Sequence, residues 1–510
     1  MKPYPSCFHK STCFGFLGIL LFSSGVALLF LWTLLFDFII ASMMVLKPNS
    51  QCLDVWKKAP MPLALDFYFF NWTNPEEIYD LNRKPKFKQM GPYRFIEHRE
   101  KVNLTWNSNN TITYRQLRYW YFDERNSFGK LTDQITTLNA VTMSAANQIK
   151  DWSYFMKKGF SLSLAAIAPT IEITKSVGEL LFQGYEDPYV DMALTLPFLA
   201  ETLPPFDKFG WFYTRNESYT YDGIFNMATG KSDNNLGELL EWNYHNQTSY
   251  FGGSCGKVHG SAAELYPQYQ KRNHIGFFSP DMCRHVQLDY EDDVFVKDIK
   301  GYKFSAQKSM LDNGTLVPEN KCYCNGECIP SGLLNVSSCR YGTPSFVSLP
   351  HFYGADPVYL TMVEGLKPEK DKHEVFITLE PRIGAPLDVA IRLQLNIRLF
   401  PVEDITLFEN IPSVFFPMLW FEQKATVPDD IVWKMKLLLS SPIIFPVCAY
   451  LLMITGSILL IHLTCKLVTA RIFRTENSCL SKEEVPLRAS RNNSYLTKNR
   501  KFHYLDLIYS

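Results

Sequence analysis

The chain has 510 residues, its 51 Lys or Arg are balanced by 51 Asp or Glu, and 46% of its residues are hydrophobic and 15% aromatic. So many aromatic residues with so little net charge exclude a disordered chain, and the lack of a basic surplus argues against a nucleic-acid-binding protein. The length is ample for a large hydrophobic core. The charges are nevertheless unevenly distributed along the chain.

An uncharged segment lies close to the N-terminus. Residues 11–36 contain no Asp, Glu, Lys or Arg. This run exceeds the roughly 20 residues that a helix needs to cross a hydrocarbon core. It is too long for the apolar region of a cleaved signal peptide and has no obvious A-x-A cleavage site. We therefore predict a cytosolic N-tail over 1–13 and a retained membrane helix over 14–36.

The segment that follows shows patterns typical of β-strands at both of its ends. Residues 62–77 read as a strand ending in a turn, 91–106 as a turn followed by a strand, and 111–122 as an aromatic-rich strand. Near the far end, 373–381 and 388–401 alternate with period two. Strands at both ends of one segment predict a single large antiparallel sheet or barrel that is closed by distant pairing.

A helical pattern lies between these groups of strands. Its apolar residues recur at spacings of three and four, which places them on one helix face; they are Ile149, Trp152, Met156 and Phe160. Neighbouring positions carry Lys150, Lys157 and Lys158. The simple interpretation is a solvated helix with a buried stripe, and the alternative is an exposed cationic platform for anionic ligands.

Six cysteines cluster in the second half of the segment: Cys255, Cys283, Cys322, Cys324, Cys328 and Cys339. In an oxidising compartment they predict three disulfides, for which fifteen pairings exist. The Asn325-Gly326 turn favours a bridge between Cys324 and Cys328. A zinc site is the competing interpretation of such close spacing.

A second uncharged run covers residues 437–465 and predicts another membrane helix. A buried core helix is the alternative, which the length of the run and the basic residues after it disfavour. Pro442 and Pro446 would kink this helix near one end. Neither run carries an Asp, Glu, Lys or Arg of the kind that pumps and channels normally need, so both read as anchors.

The C-tail, 466–510, holds nine Lys or Arg and four Asp or Glu, which favours a cytosolic side. Residues 37–436 then carry a net charge of −7 and would form one extracellular or lumenal domain. Its N-x-[ST] motifs predict glycans at Asn71, Asn103, Asn109, Asn216, Asn246, Asn313 and Asn335. Asn492 would remain unmodified inside the cell.

Four cysteines lie at the predicted cytosolic boundaries and are candidates for palmitoylation: Cys7, Cys13, Cys465 and Cys479. Unmodified thiols are the equal alternative. In the tail, Tyr504 and Leu507 frame a Y-x-x-apolar motif of the kind that endocytic adaptors read. Plasma membrane is the expected location, with endosome or lysosome as the alternative.

The chain resembles the class B scavenger receptors, which include fatty acid translocase and the lysosomal integral membrane protein. The matching stretches run in order through the outer segment; they are YFFNWTNPEE (68–77), GPYRFIE (91–97), ELLFQGYEDP (179–188), FFSPDMCRHVQLDY (277–290), CYCNGECIPSG and NVSSCRYGTPSFVSLPHFYGADP (within 322–357), RLQLNI (392–397) and MLWFEQ (418–423).

The resemblance implies an α+β fold, in which an antiparallel β-barrel carries an apical helical bundle near 139–184 and encloses a lipid tunnel. It implies the disulfides Cys255–Cys322, Cys283–Cys339 and Cys324–Cys328. It also makes Lys150, Lys157 and Lys158 candidate ligand contacts.

The resemblance implies a receptor that binds lipids, lipoproteins or anionic particles and transfers lipid to the membrane, without a cofactor or metal. The alternative is a recognition, adhesion or lysosomal cargo receptor that transfers no lipid. Self-association is allowed, and nucleic acid is not an expected partner. A G-x-S-x-G match at 252–256 suggests a hydrolase, but no helical pattern follows it and its Cys255 is an expected disulfide partner. We therefore predict a protein that is not an enzyme.

Overall fold

The computed structural model describes residues 7–58, 63–167, 170–195, 207–232 and 235–480. It divides into one unit made of 1–35 with 440–510 and a second, larger unit made of 36–439. The α-helices are α1 (Cys7–Met44), α2 (Gln51–Lys57), α3 (Ala140–Ile149), α4 (Tyr154–Ile167), α5 (Pro188–Thr195), α6 (Val358–Thr361), α7 (Lys370–His373), α8 (Thr406–Glu409) and α9 (Asp429–Leu480).

The strands are β1 (Leu63–Trp72), β2 (Phe87–Trp106), β3 (Thr111–Phe122), β4 (Gln134–Leu138), β5 (Glu172–Ser176), β6 (Ile224–Ala228), β7 (Leu239–Trp242), β8 (His274–Ser279), β9 (Arg284–Val296), β10 (Ile299–Ser305), β11 (Leu333–Asn335), β12 (Ser345–Ser348), β13 (Phe376–Leu379), β14 (Pro386–Leu399) and β15 (Val414–Thr426). A π-helical turn covers Glu179–Gln183.

Two long apolar helices form the smaller unit, and both meet the length and composition of a membrane span, over Cys13–Trp32 and Asp429–Thr475. The second helix continues through both of its prolines. Small residues allow the two helices to approach closely: a Cβ on Gly456 would lie 2.7 Å from the carbonyl oxygen of Gly18. Trp32 stacks on Phe445 with 3.7 Å between the ring centroids.

The larger unit is built on one antiparallel sheet whose strand order is β7-β6-β3-β2-β1-β15-β14-β13-β10-β9-β8, with β12 pairing β14 and β11. The early strand β1 pairs with the late strand β15, and Phe67 lies opposite Phe421. This is the distant pairing that the alternating patterns at both ends of the segment predict.

The sheet is nearly closed into a barrel. A short segment joins its two edge strands: the amide of Leu239 in β7 donates to Gly260, and the amide of Ser261 donates to Gly276 in β8, both at 2.8 Å. The interior is filled by aromatic and aliphatic side chains, among which Phe67 packs edge-on against Phe212 with 4.8 Å between centroids.

One expected turn is absent, because Gly91 and Pro92 lie inside β2 rather than before it. The register between β1 and β2 shifts at this point, so that an extra residue bulges out of β2. Gly91 has a φ of +118°, and a Cβ there would lie 2.6 Å from the carbonyl oxygen of Phe67. The glycine therefore marks a bulge that follows β1 closely.

Helices α3 and α4 lie at the end of β15 that is far from the start of α9. Helix α4 packs beside α8, which precedes β15, and β15 then runs about 40 Å before α9 begins. The strands β4 and β5 form a separate two-stranded sheet next to these helices.

Candidate functional site

A cavity of about 580 Å³ lies between helices α3 and α4, the segment 208–215 and the barrel. Four cavity-lining residues are those of the predicted apolar stripe, Ile149, Trp152, Met156 and Phe160. The prediction of one continuous helix is wrong, because the chain turns between Ile149 and Tyr154 and α4 starts after Ser153, a residue type favoured before a helix. Because of this turn, the four apolar residues line two sides of the cavity and do not form one buried face of a straight helix.

The barrel supplies the other wall of the cavity. Val347 of β12, Leu393 and Leu395 of β14 and Phe421 of β15 line it. Because β14 and β15 lie at the centre of the sheet, the cavity extends from the helices to the barrel interior. Aromatic side chains of the connecting segment complete the lining; they are Phe209, Trp211, Phe212 and Tyr213.

One part of the wall is charged. Arg215 donates to Asp281 at 2.7 Å, and Arg340 donates to the Asp281 carbonyl at 2.8 Å. Although burial opposes its ionisation, the two guanidinium groups lower the pKa of Asp281 to about 2. The Arg215 side chain is only 7% exposed, and among the described residues its buried Nε has no hydrogen-bond acceptor. The cavity is therefore apolar with a cationic region.

The lysine platform is largely wrong. Lys157 is buried and its Nζ lies 2.9 Å from Asp404. Lys158 is half-buried and lies 3.1 Å from Glu409. Lys150 is exposed, above the ring of Phe400. The platform fails because α8 and the loop before it bring two carboxylates against α4, which the sequence of the helix alone cannot reveal.

A buried ionic cluster on the inner face of β2 and β3 escapes the sequence analysis. Glu97 accepts hydrogen bonds from Arg99 (2.8 Å) and Trp120 (3.2 Å), and Lys101 donates to Glu264 at 2.6 Å. Burial alone would raise the pKa of Glu97, but Arg99 and nearby Arg118 lower it.

Burial also lowers the pKa of Lys101, to about 8. The signal was present in the sequence, because Glu97, Arg99 and Lys101 continue the inward alternation of Tyr93 and Phe95. Charged residues in that pattern indicate an ion network in place of an apolar face.

Two buried histidines stack beside the sheet. The rings of His351 and His373 lie 4.4 Å apart, and His351 contacts Gln89 through Nε2 at 2.7 Å. Backbone amides of Lys367 and Glu369 donate to the Nδ1 atoms of the two rings. Burial lowers the pKa of His351 to about 3 and that of His373 to about 4, which keeps both rings neutral.

Three disulfides staple the larger unit: Cys255–Cys322, Cys283–Cys339 and Cys324–Cys328. These are the pairs that the family resemblance implies. Ser254 of the G-x-S-x-G match precedes one of these cysteines, and its hydroxyl lies 3.8 Å from the sulfur of Cys322. Within the described ranges, no group of three or more His, Cys, Asp or Glu residues is placed to hold a metal ion.

The predicted glycan acceptors differ in exposure. Four are exposed: Asn103, Asn109, Asn216 and Asn246. Asn71, Asn313 and Asn335 are half-buried, and the amide of Asn313 already donates to Ile329. Cys13 and Cys465 are exposed on the terminal helices. Residues 492, 504 and 507 lie outside the described residues, as do the side chains of Cys7 and Cys479.

Comparison with known proteins gives consistent matches. The model of the CD36 family matches residues 16–467. The chain is 40% identical to Protein peste of Drosophila melanogaster, over 81% of this chain and 75% of the relative. It is 32% identical to scavenger receptor class B member 1 of Cricetulus griseus, over 81% and 80% of the two chains. It is 29% identical to human lysosome membrane protein 2, over 88% and 92%.

Proposed function

The chain belongs to the CD36 family, the class B scavenger receptors, and from that premise we propose that it binds lipids or lipid-bearing particles and transfers lipid through its barrel domain to the membrane. The cavity between α3, α4 and the barrel carries this proposal. Its volume of about 580 Å³ lies within the range of roughly 300–1,000 Å³ that small-molecule sites occupy.

The physical reason is the poor solubility of the cargo. Apolar surface gains about 25 cal/mol per Å² on leaving water. A site lined by Trp152, Phe160, Phe212 and Leu393 removes a chain or ring system from water without covalent chemistry. Arg215 and Arg340 in the cavity wall place positive charge where it would attract the polar head of a lipid.

The proposal includes a tunnel from the cavity to the bilayer and a topology in which both termini are cytosolic at the plasma membrane. The cavity reaches Leu393 and Phe421 of the barrel, which supports the start of this route, and the two apolar helices support the anchoring. The exposed N-x-[ST] acceptors support the outer position of residues 37–436. Removal of N-glycans with a glycosidase is expected to lower the apparent mass, whereas an unchanged mass would place this domain inside.

Uptake of fluorescent fatty acid, sterol or lipoprotein lipid by cells expressing the full chain tests the transfer. We expect faster uptake than in control cells. Ser163→Trp, which fills the cavity from α4, should abolish the gain. Ala165→Trp adds the same side chain at an exposed position of α4 outside the cavity and should leave uptake intact. Equal uptake by cells expressing the parent, Ser163→Trp and Ala165→Trp would refute transfer through this cavity.

A receptor that recognises particles or cargo without transfer is the second candidate. The similarity to lysosome membrane protein 2 and the exposed apolar surface of α4 favour it. Particle binding that persists with no lipid uptake would select this alternative.

A further inference from the structure

The hairpin formed by β9 and β10 contacts the first turns of α9 through its two-residue turn. Lys297 donates to Asp429 at 2.6 Å, and Lys436 donates to Asp298 at 2.9 Å. Lys436 is the last charged residue before the uncharged run 437–465. The tip of the hairpin therefore lies where α9 is expected to enter the membrane.

A second contact lies at the corresponding boundary of α1. Asp37 is the first charged residue after the uncharged run 11–36, and it accepts a hydrogen bond from the hydroxyl of Tyr269 at 2.6 Å. Tyr269 belongs to the segment between β7 and β8, where its backbone amide donates to the carbonyl of Arg382 at 3.1 Å. Two separate parts of the barrel domain thus contact the charged residues that bound the two predicted membrane helices.

Three aromatic side chains at these boundaries face solvent. Phe295 of β9 is 73% exposed, Trp433 of α9 is 58% exposed and Tyr269 is 53% exposed. Trp433 lies on the same helix face as Asp429 and Lys436, the two residues that contact the hairpin. A single exposed aromatic residue is ordinary on a protein surface. Three of them beside the ends of predicted membrane helices form the pattern of an aromatic belt at a membrane interface.

The spacing of these residues matches the thickness of the head-group layer. Trp433 precedes Lys436 by three residues, which is about 4.5 Å along a helix. Phe295 precedes Lys297 by two residues, which is about 7 Å along a strand. A bilayer of about 40–45 Å with a hydrocarbon core of about 30 Å leaves roughly 5–7 Å of head groups on each side. All three aromatic side chains therefore fall within one such layer.

The charges of the hairpin tip are compatible with a zwitterionic leaflet. Lys297 and Asp298 have φ angles of +49° and +64°, a conformation for which Asn-Gly is the favoured sequence. An Asn-Gly turn would fit this backbone with less strain, but it would lack both contacts to α9. The two ion pairs leave the tip without net charge. Lys300, the cross-strand neighbour of Phe295, is paired with Asp293 at 2.9 Å.

We propose that the β9–β10 hairpin inserts into the head-group layer of the bilayer that holds the chain's own two helices. Phe295, Tyr269 and Trp433 lie in this layer, and the two ion pairs hold the hairpin against α9. The hairpin is a third point of attachment to the membrane, and it fixes the tilt of the barrel domain over the bilayer. This inference rests on the anchored topology of the proposed function and not on lipid transfer.

Fluorescence quenching of the full chain in phosphatidylcholine nanodiscs tests the insertion. The six cysteines outside the disulfides are replaced by Ala, and Phe295→Cys then carries an environment-sensitive NBD probe. Lipid with a nitroxide on its head group should quench about half of the probe fluorescence, because the probe lies in the head-group layer. The matched control is Phe155→Cys, at a phenylalanine of α4 that is 84% exposed at the far end of β15. Its probe should keep its fluorescence.

A second measurement uses the unaltered chain, so it stands even if Phe295→Cys fails to fold. Nanodiscs are made with phosphatidylcholine that carries a diazirine close to its head group, and the adducts are mapped by mass spectrometry after irradiation. We expect adducts on the peptides that contain Phe295, Tyr269 and Trp433. Phe295→Ser should lose the adducts on the hairpin and retain those at Trp433.

Three results would overturn the insertion. The first is a probe at Phe295 that emits as in water and is not quenched by the nitroxide lipid. The second is equal quenching at Phe295 and Phe155, because the barrel domain would then lie flat against the bilayer. The third is blue-shifted emission at Phe295 that no nitroxide lipid quenches and that dilution reverses, which would assign the hairpin to a second copy of the chain.

The insertion and the proposed function can fail separately. If the probe at Phe295 is quenched but cells expressing the parent take up lipid no faster than control cells, the insertion stands and transfer fails. If uptake is faster but the probe remains in water, transfer stands and the insertion fails. Quenching at Phe295 together with faster uptake supports both.

Discussion

The inner face of β2 and the helix α4 both bury charged side chains, but they treat their apolar residues in opposite ways. In β2, Glu97 and Lys101 are surrounded by partners, and the apolar residues of the same face fill the barrel. In α4, Lys157 has one carboxylate partner at 2.9 Å, and the apolar side chains of Phe155 and Leu162 face solvent. The network of β2 therefore stabilises the core of the barrel, whereas the Lys157–Asp404 pair sets the orientation of α4.

The largest expected effect of a substitution is in the β2 network. Glu97→Gln removes a carboxylate that is 1% exposed and leaves the charges of Arg99 and Arg118 without it. We expect the free energy of unfolding to fall by about 3–5 kcal/mol, as for other broken buried pairs. Denaturant unfolding followed by tryptophan fluorescence measures it. The exposed control Glu124→Gln should change it by less than about 0.5 kcal/mol, and equal effects would mean that the network is not structural.

A smaller effect is expected in α4. Lys157→Met leaves the Asp404 carboxylate with Lys158 at 3.9 Å, and should lower the free energy of unfolding by about 1–3 kcal/mol. Lys157→Met combined with Asp404→Asn should cost less than the sum of the two single changes, because the pair acts as one unit. Strict additivity would show that this contact does not hold the helix.

The buried histidines predict a dependence of stability on pH. Burial lowers the pKa of His351 to about 3, of His373 to about 4 and of His285 to about 4, from a usual 6.5. Between the lowered pKa values and 6.5, the unfolded chain binds more protons than the folded chain does. The free energy of unfolding therefore falls as the pH drops from about 6.5 toward 4. Glu369 favours protonation of the stacked pair and Lys372 opposes it.

Melting temperatures at pH 7, 5.5 and 4.5 measure this effect. His351→Gln with His373→Gln should flatten the acid side of the profile, whereas His98→Gln, at an exposed position of β2, should leave it as in the parent. A parent profile that is flat from pH 7 to 4.5 would show that protonation of these rings is not linked to unfolding.

The smallest effect on stability is expected at the exposed apolar residues of α4. Phe155→Ser and Leu162→Ser should each change the free energy of unfolding by less than about 0.5 kcal/mol, because neither side chain is buried. Leu164→Ala, on the buried side of the same helix, should cost about 2–5 kcal/mol. Comparable losses of unfolding free energy at Phe155 and Leu164 would mean that Phe155 also packs against the protein.

The sequence predicts the sheet well because alternation is a local signal. Residues 111–122 form β3 with the predicted bounds, and 388–401 differs from β14 by two residues at each end. The bulge at Gly91 was missed because a glycine-proline pair indicates a turn equally well. Closure through Gly260 and Ser261 depends on contacts between distant strands, which periodicity does not encode.

The site was predicted only in part, for the same reason. The stripe of Ile149, Trp152, Met156 and Phe160 does identify the wall of the cavity, although the helix breaks within it. The roles of Lys157 and Lys158 depend on Asp404 and Glu409, which lie more than 200 residues further along the chain. A sequence pattern cannot show which charges meet across that separation.

Photo-crosslinking tests the central claim most directly, because it reports where a lipid lies in the full chain. Cells expressing the protein would be given a diazirine-labelled fatty acid or sterol, irradiated, and the adducts mapped by mass spectrometry. We expect adducts on peptides that line the cavity, from 141–163, 208–215 and 393–395, and their loss in Ser163→Trp but not in Ala165→Trp. Adducts confined to the two membrane helices would contradict lipid passage through the barrel domain.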